Sequence, residues 1–295
     1  MNTKTKLISG CATAVVTPFK NGYVDPYALE RVIGYQIENG IKTIVVLGTT
    51  GESPTVTYEE RDEIIRCARE ATRGKATLVV GTGSNSTKTA VRLTQRAQEL
   101  GADGVLCVTP YYNKSTQQGL AEHYLEISKS TSLPIIMYNV PSRTGLKIDN
   151  ECLERVCEVE NIVAIKEAGG DICEVERKIS RFGDSLWFIS GSDELVLPFY
   201  SIGGAGVISA VANAIPKEMS TLCALIEQSR YEEARALTHK LSPFIKELYA
   251  EVNPIPVKCA LSQLGLIENE LRLPLTPSTR ERQIMAELIR LRQEK

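Results

Sequence analysis

Pro134-Ile-Ile-Met-Tyr-Asn-Val140 and Asn161-Ile-Val-Ala-Ile-Lys-Glu167 are short, almost unbroken apolar runs, and the fold turns on how they are read. Alternating apolar and polar residues would mark strands with one wet face. Continuous runs rich in Val and Ile mark strands buried on both faces, hence a parallel sheet. Outward from this pair, similar runs recur at intervals of very roughly thirty residues, the length of a βα unit. CATAVV (11–16), TIVVLG (43–48), TLVVG (77–81) and GVLCVT (104–109) precede it, and LWFIS (186–190) and AGVISAV (205–211) follow. The stretches between carry helical period: Pro26 to Glu38 sets Leu29, Val32, Ile33 and Ile37 on one face. Gly40, Gly74 and Gly101 stand where helix C-caps belong.

Eight such units predict an α/β fold, a (β/α)8 TIM barrel, with an open doubly wound sheet as the structural alternative. After Pro216 the strand pattern stops, and Met219–Gln228, Tyr231–Glu251, Pro256–Leu264 and Ser278–Arg292 read as helices. The expected organisation is a catalytic barrel over residues 1–229 and an all-helical C-terminal extension over 230–295, with no low-complexity linker between them.

Composition narrows the function. A net charge of −2 leaves no electrostatic footprint for nucleic acid or for an anionic membrane surface. The N-terminal apolar stretch is broken by Ser9, Gly10 and Thr13, unlike a signal peptide, and no run approaches the roughly 18 apolar residues of a membrane span. The eight cysteines form no C-x-x-C pair, so reduced thiols in a cytoplasmic protein are expected. His123 and His239 are the only histidines, too few for a multi-histidine metal site and leaving little room for a His-centred triad. Neither a metal nor a cofactor is expected.

In a barrel, chemistry comes from the C-terminal strand ends and the loops after them. Lys166 is the sharpest candidate there, in phase with Ile162 and Ala164 and so directed into the barrel. Burial disfavours an ammonium's charged form, and a neutral amine is the nucleophile that forms a Schiff base with a carbonyl substrate. The bland alternatives are that Lys166 snorkels out of the barrel mouth or pairs with Glu167 or Glu52. Tyr138, Tyr111 and Tyr112 are phenols at other strand ends, suited either to proton transfer or simply to an amphipathic rim. Arg143, in a loop bounded by Pro141 and Gly145, suits bidentate carboxylate recognition or is an ordinary surface arginine. Thr49 and Thr50 lie in a turn flanked by Gly48 and Gly51 that can present hydroxyls to an anion. Gly81-x-Gly83 lacks the third glycine of a dinucleotide fingerprint, and no phosphate-binding P-loop is present.

GTTGES (48–53), TPYYN (109–113), YNVPSRTG (138–145), IKEA (165–168) and NPIPVK (253–258), in that order, resemble the dihydrodipicolinate synthase family of Schiff-base, pyruvate-dependent lyases. The resemblance implies Lys166 as the Schiff-base lysine, Tyr138 as its proton relay, and Thr49 as the hydroxyl linking Tyr138 to a second phenol, Tyr112, that reaches in from an adjacent subunit. It further implies Thr50 on the pyruvate carboxylate, Arg143 on the carboxylate of the second substrate, and Gly191 and Ile208 as backbone lining. The implied reaction joins pyruvate to L-aspartate 4-semialdehyde at the entry to diaminopimelate and lysine synthesis. The implied assembly is a homo-oligomer, a tetramer built as a dimer of dimers. Sialic-acid lyases and keto-deoxy sugar-acid aldolases share the lysine and tyrosine logic, but GTTGE and Ser142-Arg143 favour the synthase group. A non-catalytic keto-acid-binding barrel and a metal-dependent aldolase are the readings from other classes.

In feedback-regulated members, lysine binds through histidines, an asparagine, a glutamate and a tyrosine. Around Ser53, Asn85 and Tyr111 match that pattern, whereas Thr89 replaces the glutamate and Tyr58 and Arg61 stand in the histidine places. A cationic effector loses a carboxylate and gains a cation, so weak or absent inhibition by L-lysine is expected.

Overall fold

The computed structural model describes residues 2–293. Its eight barrel strands are β1 (Gly10–Ala14), β2 (Thr43–Val46), β3 (Thr77–Gly81), β4 (Gly104–Val108), β5 (Ile135–Asn139), β6 (Ile162–Glu167), β7 (Trp187–Ser190) and β8 (Gly206–Ser209). They follow one another in chain order around a closed barrel. Every residue of β1, β2, β5, β6 and β8 is buried, which is why these strands are written in continuous apolar runs. The strand alternation thus resolves to the (β/α)8 barrel, and the open sheet is set aside.

The chain packs as two units. One takes the chain up to Ser9 together with Thr77–Ile208. Within it β5 and β6 pair in parallel, setting Tyr138 opposite Lys166 and Asn139 opposite Glu167. The N-terminal segment is tied in by Lys4, whose ammonium donates to the carbonyls of Cys157, Val159 (2.8 Å) and Ile162 (2.9 Å). Trp187 Nε1 donates in turn to the Lys4 carbonyl at 3.0 Å.

The other unit takes Gly10–Ala76 and the chain from Ser209 onward. Helix Pro26–Glu38 is capped by Asp25, and Tyr58–Thr72 by a reciprocal box between Thr57 and Glu60. Gly40 and Gly74, like Gly101 in the first unit, adopt positive φ (93°, 68° and 85°) as helix terminators. The C-terminal helices run over Pro216–Glu227, Tyr231–Leu248, Ile255–Gln263 and Glu281–Gln293. Three ends differ from the periodicity by three residues, the first being the start of the first of these helices, at Pro216 and not at Met219. The second helix stops at Leu248, where the Ala250 N–H closes on the Glu247 carbonyl (3.3 Å), three residues back, instead of carrying the helix to Glu251. The last begins at Glu281, after a local turn in which Ser278 Oγ accepts the Arg280 N–H at 3.0 Å. A small hairpin pairing Phe19–Lys20 with Tyr23–Val24 was not anticipated, although its Asn21-Gly22 turn is the strongest short-range hairpin signal. Among the described residues no helix is long and apolar enough to cross a membrane.

Candidate active site

Lys166, the next-to-last residue of β6, has only 6% of its surface exposed. Its Nζ lies 4.5 Å from the ring centroid of Tyr138, itself 7% exposed, because the register sets the two residues opposite one another. Neither suggested carboxylate takes the amine. Glu167 points to a separate buried cluster: it accepts from Asn139 Nδ2 (2.6 Å) and the Gly169 N–H (3.0 Å) and pairs with Lys178 (3.4 Å). Asn139 Oδ1 accepts the Ile148 N–H at 3.0 Å, so one carboxylate–amide pair ties the ends of both strands to the loops that follow them. Burial raises the Glu167 carboxyl above its ordinary range, against the pull of Lys178. Glu52 pairs with Lys258.

Gly191 closes against the lysine chain. Its N–H donates to the Glu167 carbonyl at 2.7 Å, and a Cβ there would stand 3.0 Å from Lys166 Cε. Ile208 is buried near the end of β8. Arg143 is exposed on a single helical turn, Pro141–Thr144, which ends at left-handed Gly145. That turn is anchored from beneath by Thr144, whose hydroxyl donates to the Leu146 carbonyl (2.9 Å) and accepts from Thr109 Oγ1 (3.0 Å). Tyr112 is 92% exposed at φ +72°, so its side chain stands clear of its own chain. Tyr111 is partly exposed beside it, and Asn113 joins the two neighbouring loops by donating to the Asn85 carbonyl at 2.9 Å. Thr89 lies in the first turn of helix Thr87–Glu99, its N–H donating to Ser86 Oγ at 3.4 Å.

In the second unit, Thr49 and Thr50 occupy a turn held by Gly51 N–H to Gly48 carbonyl and Glu52 N–H to Thr49 carbonyl bonds, both 3.1 Å. Thr17 Oγ1 donates to the Gly51 carbonyl at 2.7 Å, and Asn253 Nδ2 donates to Thr50 Oγ1 at 3.0 Å. Leu47 and Glu52, flanking the turn, both lie in the left-handed region, at φ +57° and +51°. For a residue with a long side chain this costs roughly 1–2 kcal/mol, so the surroundings must impose it. Ser53 follows in a short 3₁₀ turn, its carbonyl accepting from Arg61 (3.4 Å), and Tyr58 is exposed at the start of the next helix.

The structure therefore brings Lys166, Tyr138 and Gly191 together in one unit and Thr49 and Thr50 together in the other. Sequence reasoning passed over the Asn139–Glu167–Lys178 cluster and the Glu52–Lys258 pair. Lys258 had a signal, standing alone in the apolar helical run Pro256-Val-Lys-Cys-Ala-Leu261. Chemically, a buried amine outside any ion pair among the described residues, with a phenol across the register, is equipped to attack a carbonyl and hand on the proton.

A sequence model of the Dihydrodipicolinate synthetase family matches residues 7–290. The chain is 48% identical over 271 residues to the 4-hydroxy-tetrahydrodipicolinate synthase of Alkaliphilus oremlandii, covering 92% of this chain and 93% of that one. The solved dihydrodipicolinate synthase of Thermotoga maritima is similar at a TM-score of 0.93 and 45% identity, over 98% of this chain and 99% of that one. The chloride-inhibited dihydrodipicolinate synthase of Acinetobacter baumannii, complexed with pyruvate, is similar at a TM-score of 0.93 and 41% identity, over 96% and 99%.

Proposed function

The chain belongs to the Dihydrodipicolinate synthetase family, and on that footing we propose that it condenses pyruvate with L-aspartate 4-semialdehyde through a Schiff base on Lys166. The observation that carries the assignment is the buried Lys166 amine, outside any ion pair among the described residues, 4.5 Å from the Tyr138 ring.

The amine adds to the ketone carbon of pyruvate, and loss of water gives the imine. Protonated, the imine draws electrons from the methyl group, which gives up a proton and becomes the enamine carbon. That carbon attacks the aldehyde. The amine of the second substrate then adds to the imine, displaces Lys166 and closes the six-membered ring of 4-hydroxy-tetrahydrodipicolinate. Tyr138 takes and returns the protons, with Thr49 and Tyr112 extending the relay. Thr50 holds the pyruvate carboxylate and Arg143 that of the semialdehyde, while Gly191 and Ile208 line the site.

Tyr112 serves the site of a neighbouring copy, a role supported by its 92% exposure on its own chain. The enzyme is accordingly a homo-oligomer, a tetramer of two tight dimers, working in the cytoplasm. Residues 1–229 form its catalytic barrel and 230–295 its helical extension. L-Lysine inhibits it weakly or not at all, since Thr89 supplies no carboxylate and Arg61 adds a cation.

Borohydride reduction in the presence of pyruvate tests the assignment. It should leave a covalent adduct on Lys166 by mass spectrometry, absent in Lys166→Ala. No adduct, or activity abolished by chelator alone, would favour the non-catalytic or metal-dependent readings. A comparison of aldehyde acceptors then fixes the second substrate, and sub-millimolar inhibition by lysine would overturn the effector reading.

A further inference from the structure

The left-handed turn after β2 is restrained from the far end of the chain. Glu52 Oε1 meets Lys258 Nζ at 2.5 Å, with both side chains essentially sealed from solvent (1% and 0% exposed). Glu52 Oε2 accepts the backbone N–H of Arg272 at 3.1 Å. Lys258 also donates to the Glu270 carbonyl at 2.7 Å, and its ammonium lies 4.1 Å from the centroid of the Phe19 ring. Arg272 stacks on the same ring at 4.2 Å, forks onto Glu60, and donates to the Thr55 carbonyl at 2.8 Å, just beyond the turn.

Stability alone is a poor reason for this arrangement. Desolvation offsets most of the attraction in a buried ion pair, and apolar replacements of similar volume are often neutral or stabilising. Burial here pulls the Lys258 ammonium down to about 8, against the opposing attraction of Glu52 and Glu270 and with a small further push from Arg272. What the pair supplies is position. A cation fixed by a carboxylate, a carbonyl and an aromatic face fixes the carboxylate in return, and Glu52 is one peptide unit removed from the residue after Thr50.

We propose that Lys258 is a positioning residue for the condensation, holding the Thr49–Thr50 turn, through left-handed Glu52, in the form that presents the Thr50 hydroxyl to the pyruvate carboxylate. This rests on the assignment of Thr50 to the pyruvate carboxylate. It gives residues 253–272 of the helical C-terminal part a share in substrate binding, alongside the bond from Asn253 to Thr50.

The test compares the full-length wild type with a Glu52→Gln, Lys258→Met double variant and with Glu52→Gln alone. Lys258→Met by itself strands a buried carboxylate and invites misfolding. The double variant removes both charges at similar volume. We read the denaturation midpoint, the steady-state constants, and the pyruvate concentration giving half-maximal borohydride trapping on Lys166. The double variant should unfold near the wild type yet need roughly tenfold more pyruvate, in KM and in trapping alike, the scale expected when a binding group is misplaced. Its kcat should change less than about threefold and its semialdehyde KM should stay put. If the double variant does not fold, Glu52→Gln alone decides, since it keeps an acceptor for the Arg272 N–H; its pyruvate requirement should rise at least about threefold. A folded variant with the wild-type pyruvate requirement overturns the role of Lys258. Failure of the wild type to trap pyruvate at all is a separate result, which sinks the Lys166 assignment and this proposal with it.

Discussion

Replacing Gly191 with alanine puts a methyl group where the end of β6 leaves no room. On the existing backbone the new Cβ falls 2.8 Å from Ala168 Cβ, 3.0 Å from Lys166 Cε and 3.1 Å from the Glu167 carbonyl oxygen. Carbon–carbon contacts are comfortable at about 3.5–4.0 Å, so the first two are too close by about half an ångström or more. Gly191 cannot easily retreat, because its N–H donates to that same Glu167 carbonyl at 2.7 Å. Ala168 is held as well, its N–H donating to the Asn139 carbonyl at 2.9 Å. The atom free to yield is Lys166 Cε, one bond from the amine nitrogen proposed to form the Schiff base. Overpacking of this kind costs about 1–3 kcal/mol of stability. Displacing a reacting group by up to about 1 Å costs on the order of 10²-fold in rate. We therefore expect folded Gly191→Ala enzyme to lose roughly 30–100-fold in kcat/KM for pyruvate. Single-turnover borohydride trapping should slow by a similar factor, since the defect lies at the amine. Stability is read by denaturant titration and trapping by mass spectrometry of the Lys166 adduct. A folded variant that traps pyruvate at the wild-type rate would refute the claim that Gly191 confines the lysine.

Three further outcomes follow from buried side chains and from one tight backbone contact. Among the described residues His123 makes its hydrogen bond through Nδ1, at 2.9 Å from Thr87 Oγ1, and burial lowers its pKa to about 4. Its unfolded counterpart titrates near 6.5, so the unfolded chain takes up the proton first; stability is intact above about pH 6.5 and is lost as pH falls toward 4. By pH 5 the loss is about 2 kcal/mol, and His123→Gln should escape it; equal losses between pH 7 and pH 5 in both proteins would rule this out. Lys178→Met strands Glu167 and should cost about 3–5 kcal/mol, most of it recovered in a Glu167→Gln, Lys178→Met pair; a fully stable single variant would show that the cluster is not coupled. Gly83→Ala would set a Cβ 2.4 Å from the Val108 backbone nitrogen, a contact no rotamer relieves, and should lower the denaturation midpoint clearly; an unchanged midpoint would contradict the close approach of that loop to β4.

The parts that were legible beforehand share one property: their cause is local. A strand covered on both faces has to be apolar at every position, so the eight runs could be counted without coordinates. The direction of Lys166 followed from its phase with Ile162 and Ala164 along a strand. The glycines after the helices carried their own requirement for positive φ. The hairpin at Asn21-Gly22 was equally local and was passed over because its strands are only two residues long.

The electrostatics were not local. From sequence, Glu52 and Glu167 were equally plausible partners for Lys166. Tertiary structure gave Glu167 to Lys178, on a later helix, and Glu52 to Lys258, far along the chain. No spacing rule links either pair, since charge pairing depends on distance in space, and each carboxylate is buried with whichever cation the packing brings to it. By itself, then, the sequence determined that this chain builds a barrel and sets an amine at the end of its sixth strand. Only the folded arrangement decided that both candidate carboxylates are engaged by other cations, which leaves that amine outside any ion pair among the described residues.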